Sequence, residues 1–120
     1  MNLAIDTNRY TDLAKGVPDV VAVLDAASAV FMPFVTIAEL RGGFAVGTRG
    51  MKNEEVLARF LAKPKVQALY STDETTKRYA EVYAQLRRQG TPIPTNDMWI
   101  AALVLEHDLT LYARDAHFDS

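Results

Sequence analysis

The sequence predicts an α/β fold: three layers, with a central, mainly parallel sheet of four or five strands flanked by helices. Three observations lead there. Short apolar runs that end in polar turns alternate with amphipathic stretches of helical period. Met98–Leu105 is apolar on every face, as a centrally buried helix is. The chain has 120 residues, 49% hydrophobic and 23% charged, which suits one core and a single domain over 1–120.

Leu3-Ala4-Ile5 reads as a buried strand that runs into a turn at Asp6-Thr7-Asn8. Tyr10 to Lys15, closed by Gly16, reads as a short helix. Pro18 opens a second helix, with Val20, Val21, Val23, Leu24 and Ala27 on its apolar face. Ala29-Val30-Phe31-Met32 is the second strand, stopped at Pro33. A helix begins at Thr36 and runs toward Gly42, Gly43 and Gly47. Asn53 caps a further helix from Glu54 to Ala62.

Val66 to Tyr70 is the third strand. A long amphipathic helix starts at Asp73 or Thr75 and ends at Arg88 before Gly90, with Tyr79, Val82, Tyr83 and Leu86 inward. The apolar helix at Met98 follows, and Leu109 to Tyr112 is the fourth strand. No internal repeat, linker or low-complexity tract interrupts this order.

Composition narrows the chemistry. There is no cysteine, so thiolate zinc sites, disulfides and cysteine nucleophiles are excluded, and a metal must use oxygen or imidazole ligands. No apolar run reaches the roughly 18–20 residues of a membrane span, and the N-terminus lacks the pattern of a signal peptide. A cytoplasmic location is the expectation. Net charge is −2, which by itself argues against a nucleic-acid partner. A bound divalent cation reverses that sum locally.

Four acids stand at the ends of four elements. Asp6 follows the first strand and Asp115 the fourth, Glu39 lies in the first turn after the second strand, and Asp97 opens the buried helix. Ligands of open parallel sheets bind outside the carboxyl ends of the strands, so all four can face one crevice. Two carboxylates roughly 5 Å apart repel by about 3 kcal/mol at an effective dielectric near 20. A hard cation relieves that and prefers oxygen ligands. Such a pocket can activate water and stabilise charge on a phosphodiester.

Each acid also has a plain structural reading. Asp6 is a common turn residue. Thr36-Ile37-Ala38-Glu39 fits a capping box, with Glu39 bonding back to the Thr36 amide. Asp97 follows Thr95, a possible N-cap, and suits the helix dipole. Asp115 could pair with Arg114 or His117.

Four segments, in order along the chain, resemble the PIN-domain ribonucleases, most closely the VapC-type toxins of bacterial toxin–antitoxin pairs. They are Leu3-Ala4-Ile5-Asp6-Thr7-Asn8, Thr36-Ile37-Ala38-Glu39-Leu40, Pro94-Thr95-Asn96-Asp97-Met98-Trp99-Ile100-Ala101-Ala102 and Leu111-Tyr112-Ala113-Arg114-Asp115-Ala116-His117-Phe118. The resemblance implies a PIN-like fold and an endoribonuclease dependent on Mg²⁺ or Mn²⁺. It also implies a homodimer, held in check by a small antitoxin protein that occludes the active site. Carried over, Asp6 and Asp97 are the principal metal ligands, with Glu39 and Asp115 completing the quartet directly or through water. Thr95 matches a supporting hydroxyl, and Asn8 a position that orients Asp6. Arg41 and Arg114 are candidates for RNA phosphate contacts from proximity in sequence; solvated surface charge is the competing reading. The family continues past the His-Phe segment into a last strand, whereas this chain stops at Ser120, so the last edge strand is expected to be missing.

Other features point elsewhere only weakly. His107 and His117 lack a zinc spacing, and the glycines match neither G-x-G-x-x-G nor G-x-x-x-x-G-K-[ST]; Gly43 and Gly47 suit close helix packing. Tyr79, Tyr83 and Leu86 read as core or dimer interface rather than a base-stacking platform. Three alternatives stay open. An aspartyl-nucleophile phosphohydrolase needs a second Asp where Asn8 stands. A receiver-like signalling domain needs paired acids after the first strand. A catalytically degenerate antitoxin-binding protein is the third.

Overall fold

The computed structural model describes residues 1–114. Strands β1 (Asn2–Ile5), β2 (Ala29–Pro33), β3 (Val66–Leu69) and β4 (Thr110–Tyr112) form one sheet in the order β3-β2-β1-β4. Every pairing is parallel, with Leu3 opposite both Val30 and Thr110 and Ile5 opposite Tyr112. Between the strands lie α1 (Thr7–Ala14), α2 (Pro18–Ala26), α3 (Phe34–Val46), α4 (Gly50–Leu61), α5 (Asp73–Gln89) and α6 (Thr95–His107). This is the α/β architecture expected from the sequence. The expectation that a last edge strand after His117-Phe118 is missing concerns positions outside the described residues.

The sheet is parallel because each pair of strands is joined through helices, and helices on its faces bury it. β1 is the central case: Leu3, Ala4 and Ile5 are all buried, although alternate residues point to opposite faces. The core joins them to Val20 and Leu24 of α2, Val30 and Met32 of β2, Ile37 and Leu40 of α3, Leu57 and Phe60 of α4 and Val66 of β3. Burying a side chain of this size contributes roughly 1.5–3 kcal/mol. Lys65 closes this end of the fold, its Nζ donating to the carbonyls of Leu24, Asp25 and Ala27 at 2.6, 2.9 and 3.2 Å. Those carbonyls lie at the end of α2, where helical acceptors run short of partners, and the Leu24 carbonyl also accepts the Ala27 N–H at 3.3 Å.

Several boundaries differ from the sequence expectation, each for a local reason. α1 starts at Thr7 rather than Tyr10 because Asp6 caps it, Oδ1 accepting the Arg9 N–H at 2.8 Å. α3 starts at Phe34, directly after Pro33, so Thr36 lies inside the helix and forms no capping box with Glu39. The Thr36 hydroxyl instead donates to the Ile5 carbonyl at 3.3 Å. α4 starts at Gly50, which places Asn53 within the helix rather than at its cap. A glycine there is required by close approach: a Cβ on Gly50 would stand 2.7 Å from the Phe44 carbonyl oxygen. α5 does begin at Asp73, capped by Thr72 through reciprocal bonds with Thr75, and Gly90 closes it at φ 69°.

α6 is less enclosed than its composition suggests. Ile100, Ala102 and Leu103 are buried, but Leu105 is 55% exposed. The helix pairs with α5 on one side and meets α3 on another, which leaves part of its circumference open. On α5, Tyr79 packs on Trp99 with ring centroids 4.4 Å apart, while Tyr83 turns outward. The buried Thr75 hydroxyl donates to Glu106 and ties the start of α5 to the end of α6. Among the described residues, no helix is long and apolar enough to cross a membrane.

Candidate active site

The strand order fixes where a site can form. From β1 the chain steps one way to β2 and β3, then crosses back to place β4 on the other side of β1. That reversal between β1 and β4 is a topological switch point, and open parallel sheets bind their ligands at such a point, outside the carboxyl ends of the strands. Asp6 is the first residue after β1, and Arg114 is two residues beyond β4.

Asp6 is 6% exposed and is gripped by main-chain donors. Its Oδ1 accepts the Arg9 N–H at 2.8 Å and its Oδ2 accepts the Arg114 N–H at 3.2 Å. The first bond is an N-cap, worth roughly 0.5–2 kcal/mol. The second joins the ends of the two strands. No cationic side chain pairs with this carboxylate among the described residues.

Glu39 lies in the second turn of α3, one turn later than expected, because the helix begins at Phe34. Its Oε1 accepts the Thr7 hydroxyl at 2.9 Å, next in sequence to Asp6. α3 is set at this distance by Thr36, whose hydroxyl grips the end of β1 at Ile5. Glu39 itself is exposed, so its carboxylate borders solvent.

Asp97 stands in the first turn of α6 and is half-buried. Trp99, two residues on, meets the ring of Phe34 at 5.9 Å, edge to face. Phe34 directly follows β2, so α6 begins at the same edge of the sheet as Asp6. Thr95 is the first residue of α6 and is exposed; Pro94 occupies the N-cap position. Asn8 is exposed in the first turn of α1, and the groups that hold Asp6 are the main-chain N–H donors of Arg9 and Arg114. Asp115, the fourth acid, lies outside the described residues.

The two candidate arginines differ. Arg41 on α3 is tied to Glu54 on α4, Nε to Oε1 at 2.8 Å, an exposed pair of the sort worth about 0–1 kcal/mol. Arg114 reaches Asp12, Nη1 to Oδ1 at 3.6 Å, while its side chain remains 53% exposed.

Asp12, Arg9, Thr7 and Thr36 are functional candidates that sequence reading passed over. Asp12 is buried at 8%, and its Oδ2 lies 3.6 Å from Arg9 Nη1. The Arg9 guanidinium stacks over the Tyr112 ring, 4.3 Å from its centroid. Arg9 and Asp12 at i,i+3 were a visible helical pair. The partnership of Asp12 with Arg114 had no local signal.

Hard carboxylate oxygens are the donors that Mg²⁺ or Mn²⁺ prefers, and a buried Asp6 with only neutral donors about it fits a cation neighbour. Among the described residues, no three acids or imidazoles gather closely enough to hold an ion. The predicted set also includes Asp115, which those residues do not cover.

Comparison with known proteins gives consistent results. The plasmid stability protein StbB of Pseudomonas syringae pv. tomato is 34% identical over 122 residues, spanning 94% of this chain and 87% of that protein. Ribonuclease VapC1 of Haemophilus influenzae is 33% identical over 113 residues, spanning 91% and 80%. The structure of VapBC-1 from nontypeable Haemophilus influenzae superposes with a TM-score of 0.79 at 27% identity, over 92% of this chain and 84% of that one. The family described as PIN domain matches residues 3–120. With the parallel four-stranded sheet and a family match over nearly its whole length, this chain belongs to the PIN-domain family.

Proposed function

We propose that the chain is the ribonuclease toxin of a toxin–antitoxin pair, a metal-dependent endoribonuclease that hydrolyses RNA phosphodiesters at Asp6, Glu39, Asp97 and Asp115. The observation that carries this reading is Asp6, a buried carboxylate at the switch point, held by two main-chain N–H groups and lacking a cationic side-chain partner among the described residues. The similarity to ribonuclease VapC1 supports the activity. The likeness in fold to VapBC-1 supports a cognate antitoxin as partner. A homodimer is the assembly that the family resemblance implies, and the cytoplasm is the place proposed from the sequence pattern of the N-terminus.

Asp6 and Asp97 would hold Mg²⁺ or Mn²⁺, with Glu39 and Asp115 binding directly or through water. The chemistry supplied by a divalent ion there is a water made nucleophilic near neutral pH and a counter-charge for the phosphodiester. The chain's own residues do the positioning. The Arg9 and Arg114 N–H groups fix both oxygens of Asp6, so the carboxylate stays aimed without a side-chain rearrangement. The Thr7 hydroxyl orients Glu39 at the solvent border, where it can accept a proton from a water. Thr95 would support Asp97 through its hydroxyl, and Asn8 would help orient Asp6, the roles that the family resemblance implies for them. Arg114, half exposed next to Asp6, is the better placed of the two arginines to meet a phosphate, since Arg41 is occupied by Glu54.

The test is a labelled RNA pool incubated with purified protein and Mn²⁺, or with chelator. Cleavage with metal and none with chelator is expected, together with loss of cleavage in Asp6→Asn and Asp97→Asn variants that remain folded. Equal RNA decay in wild type and variants would refute the site. Inactive wild type that still binds a partner antitoxin would favour a degenerate binding protein.

A further inference from the structure

Resting on the nuclease reading, we infer that Asp12 is a positioning residue of the active site: through Arg114 it holds the segment that follows β4 against Asp6. Asp12 lies in the second turn of α1, the helix that Asp6 caps. It is 8% exposed, and its two oxygens face two guanidiniums, Arg9 Nη1 and Arg114 Nη1, each at 3.6 Å. A carboxylate this buried is costly without opposite charge beside it, so the arginines and Asp12 require one another.

Arg114 is therefore tethered twice. Its main-chain N–H bonds to Asp6 Oδ2 at 3.2 Å, and its side chain pairs with Asp12. Asp6 caps α1 and Asp12 lies within it, so the helix acts as a rigid ruler between the two anchors. The need for a tether follows from the sheet. The parallel ladder between β1 and β4 ends at Ile5 opposite Tyr112, and among the described residues no strand pairing follows that register. Arg9, stacked over Tyr112, closes the opposite flank of the same clasp. The next residue in the sequence after Arg114 is Asp115, the fourth acid of the proposed site. Asp12 touches neither substrate nor metal in this scheme; it acts through Arg114.

The experiment compares wild type, Asp12→Asn, Arg114→Gln and the double variant by steady-state RNA cleavage with Mn²⁺ and by amide hydrogen exchange at Arg114. Asp12→Asn is expected to lower kcat about ten- to hundredfold, the range seen when groups that orient metal ligands are lost. KM for RNA is expected not to rise, because both guanidiniums are released toward the substrate. Arg114→Gln should lower kcat and raise KM, and the double variant should lose no more kcat than the worse single one. The Arg114 amide should exchange at least tenfold faster in Asp12→Asn. A kcat for Asp12→Asn within twofold of wild type, or unchanged exchange at Arg114, would overturn the inference. If Asp12→Asn does not fold, Arg114→Gln interrogates the same clasp from its exposed end, and unchanged kcat there overturns it equally. Wild type without ribonuclease activity would defeat the nuclease reading, while the exchange data would still decide whether the clasp exists.

Discussion

Arg114 and Asp6 lie 108 positions apart in the chain, yet the Arg114 N–H donates to Asp6 Oδ2 at 3.2 Å. This bond closes the two strands that flank the switch point and fills one oxygen of the most buried described acid in the proposed site. The other oxygen is filled by the cap of α1. One side chain thus serves helix initiation, strand closure and, in the proposed function, catalysis.

Asp6→Asn separates these roles. Asparagine caps helices about as well as aspartate and gives up only the acceptor for the Arg114 N–H, so the fold should survive with a melting temperature within several degrees of wild type. The negative charge is gone, and RNA cleavage should fall at least about a hundredfold. Circular dichroism and cleavage of labelled RNA check the two halves. Unfolding of the variant would show that the charge, rather than the cap, holds this edge.

Metal should stabilise the folded protein. An ion that binds only the native state adds about 2.7 kcal/mol at one hundred times its dissociation constant. For a domain of this size that is an upward shift of several degrees in melting temperature. A scan in millimolar Mn²⁺ reads it, and the shift should vanish in Asp6→Asn and Asp97→Asn.

The glycines of α3 and α4 should respond in opposite directions to alanine. Gly50→Ala forces a Cβ within 2.7 Å of the Phe44 carbonyl, a main-chain atom that cannot swing aside. A loss of about 1–3 kcal/mol is expected. Gly42 lies inside α3 with open space around it, so Gly42→Ala should gain about 0.5–1 kcal/mol from helix propensity. Urea unfolding of both variants measures the difference in sign.

Alkaline pH should expose Tyr10. Burial first, and the negative charge of Glu54 second, raise its phenol above the ordinary value of 10.0. The unfolded chain therefore releases this proton at lower pH than the folded protein does. The stability contributed by neutral Tyr10 is complete below about pH 10 and is lost as pH rises through the folded value. Subtracting the stability of Tyr10→Phe from that of wild type, between pH 8 and 11.5, isolates this fall. A flat difference above pH 10 would show that the phenol titrates alike in both states.

Much of the molecule is legible in local sequence. Alternating apolar runs and helical periods place four strands and six helices in the observed order, because hydrophobic period reports on each segment separately. Asp6 stands out because a strand end followed by a turn is a local event. The boundaries were less secure. Thr36 and Glu39 carry a capping-box spacing, yet their hydroxyl and carboxylate partners are Ile5 and Thr7, which come from the first strand and the first helix.

The sequence by itself determined the fold class, the family and the types of residue available to a metal. Tertiary structure alone decided that Glu39 meets Thr7, that Arg41 is occupied by Glu54 and that Asp12 is buried between two arginines. The reason is physical. Periodicity and capping are written within a few residues, whereas a hydrogen bond or ion pair across 32 or 108 positions depends on where whole elements come to rest. Those resting places follow from the packing of the sheet and its helices, a sum over many weak contacts to which no single motif points.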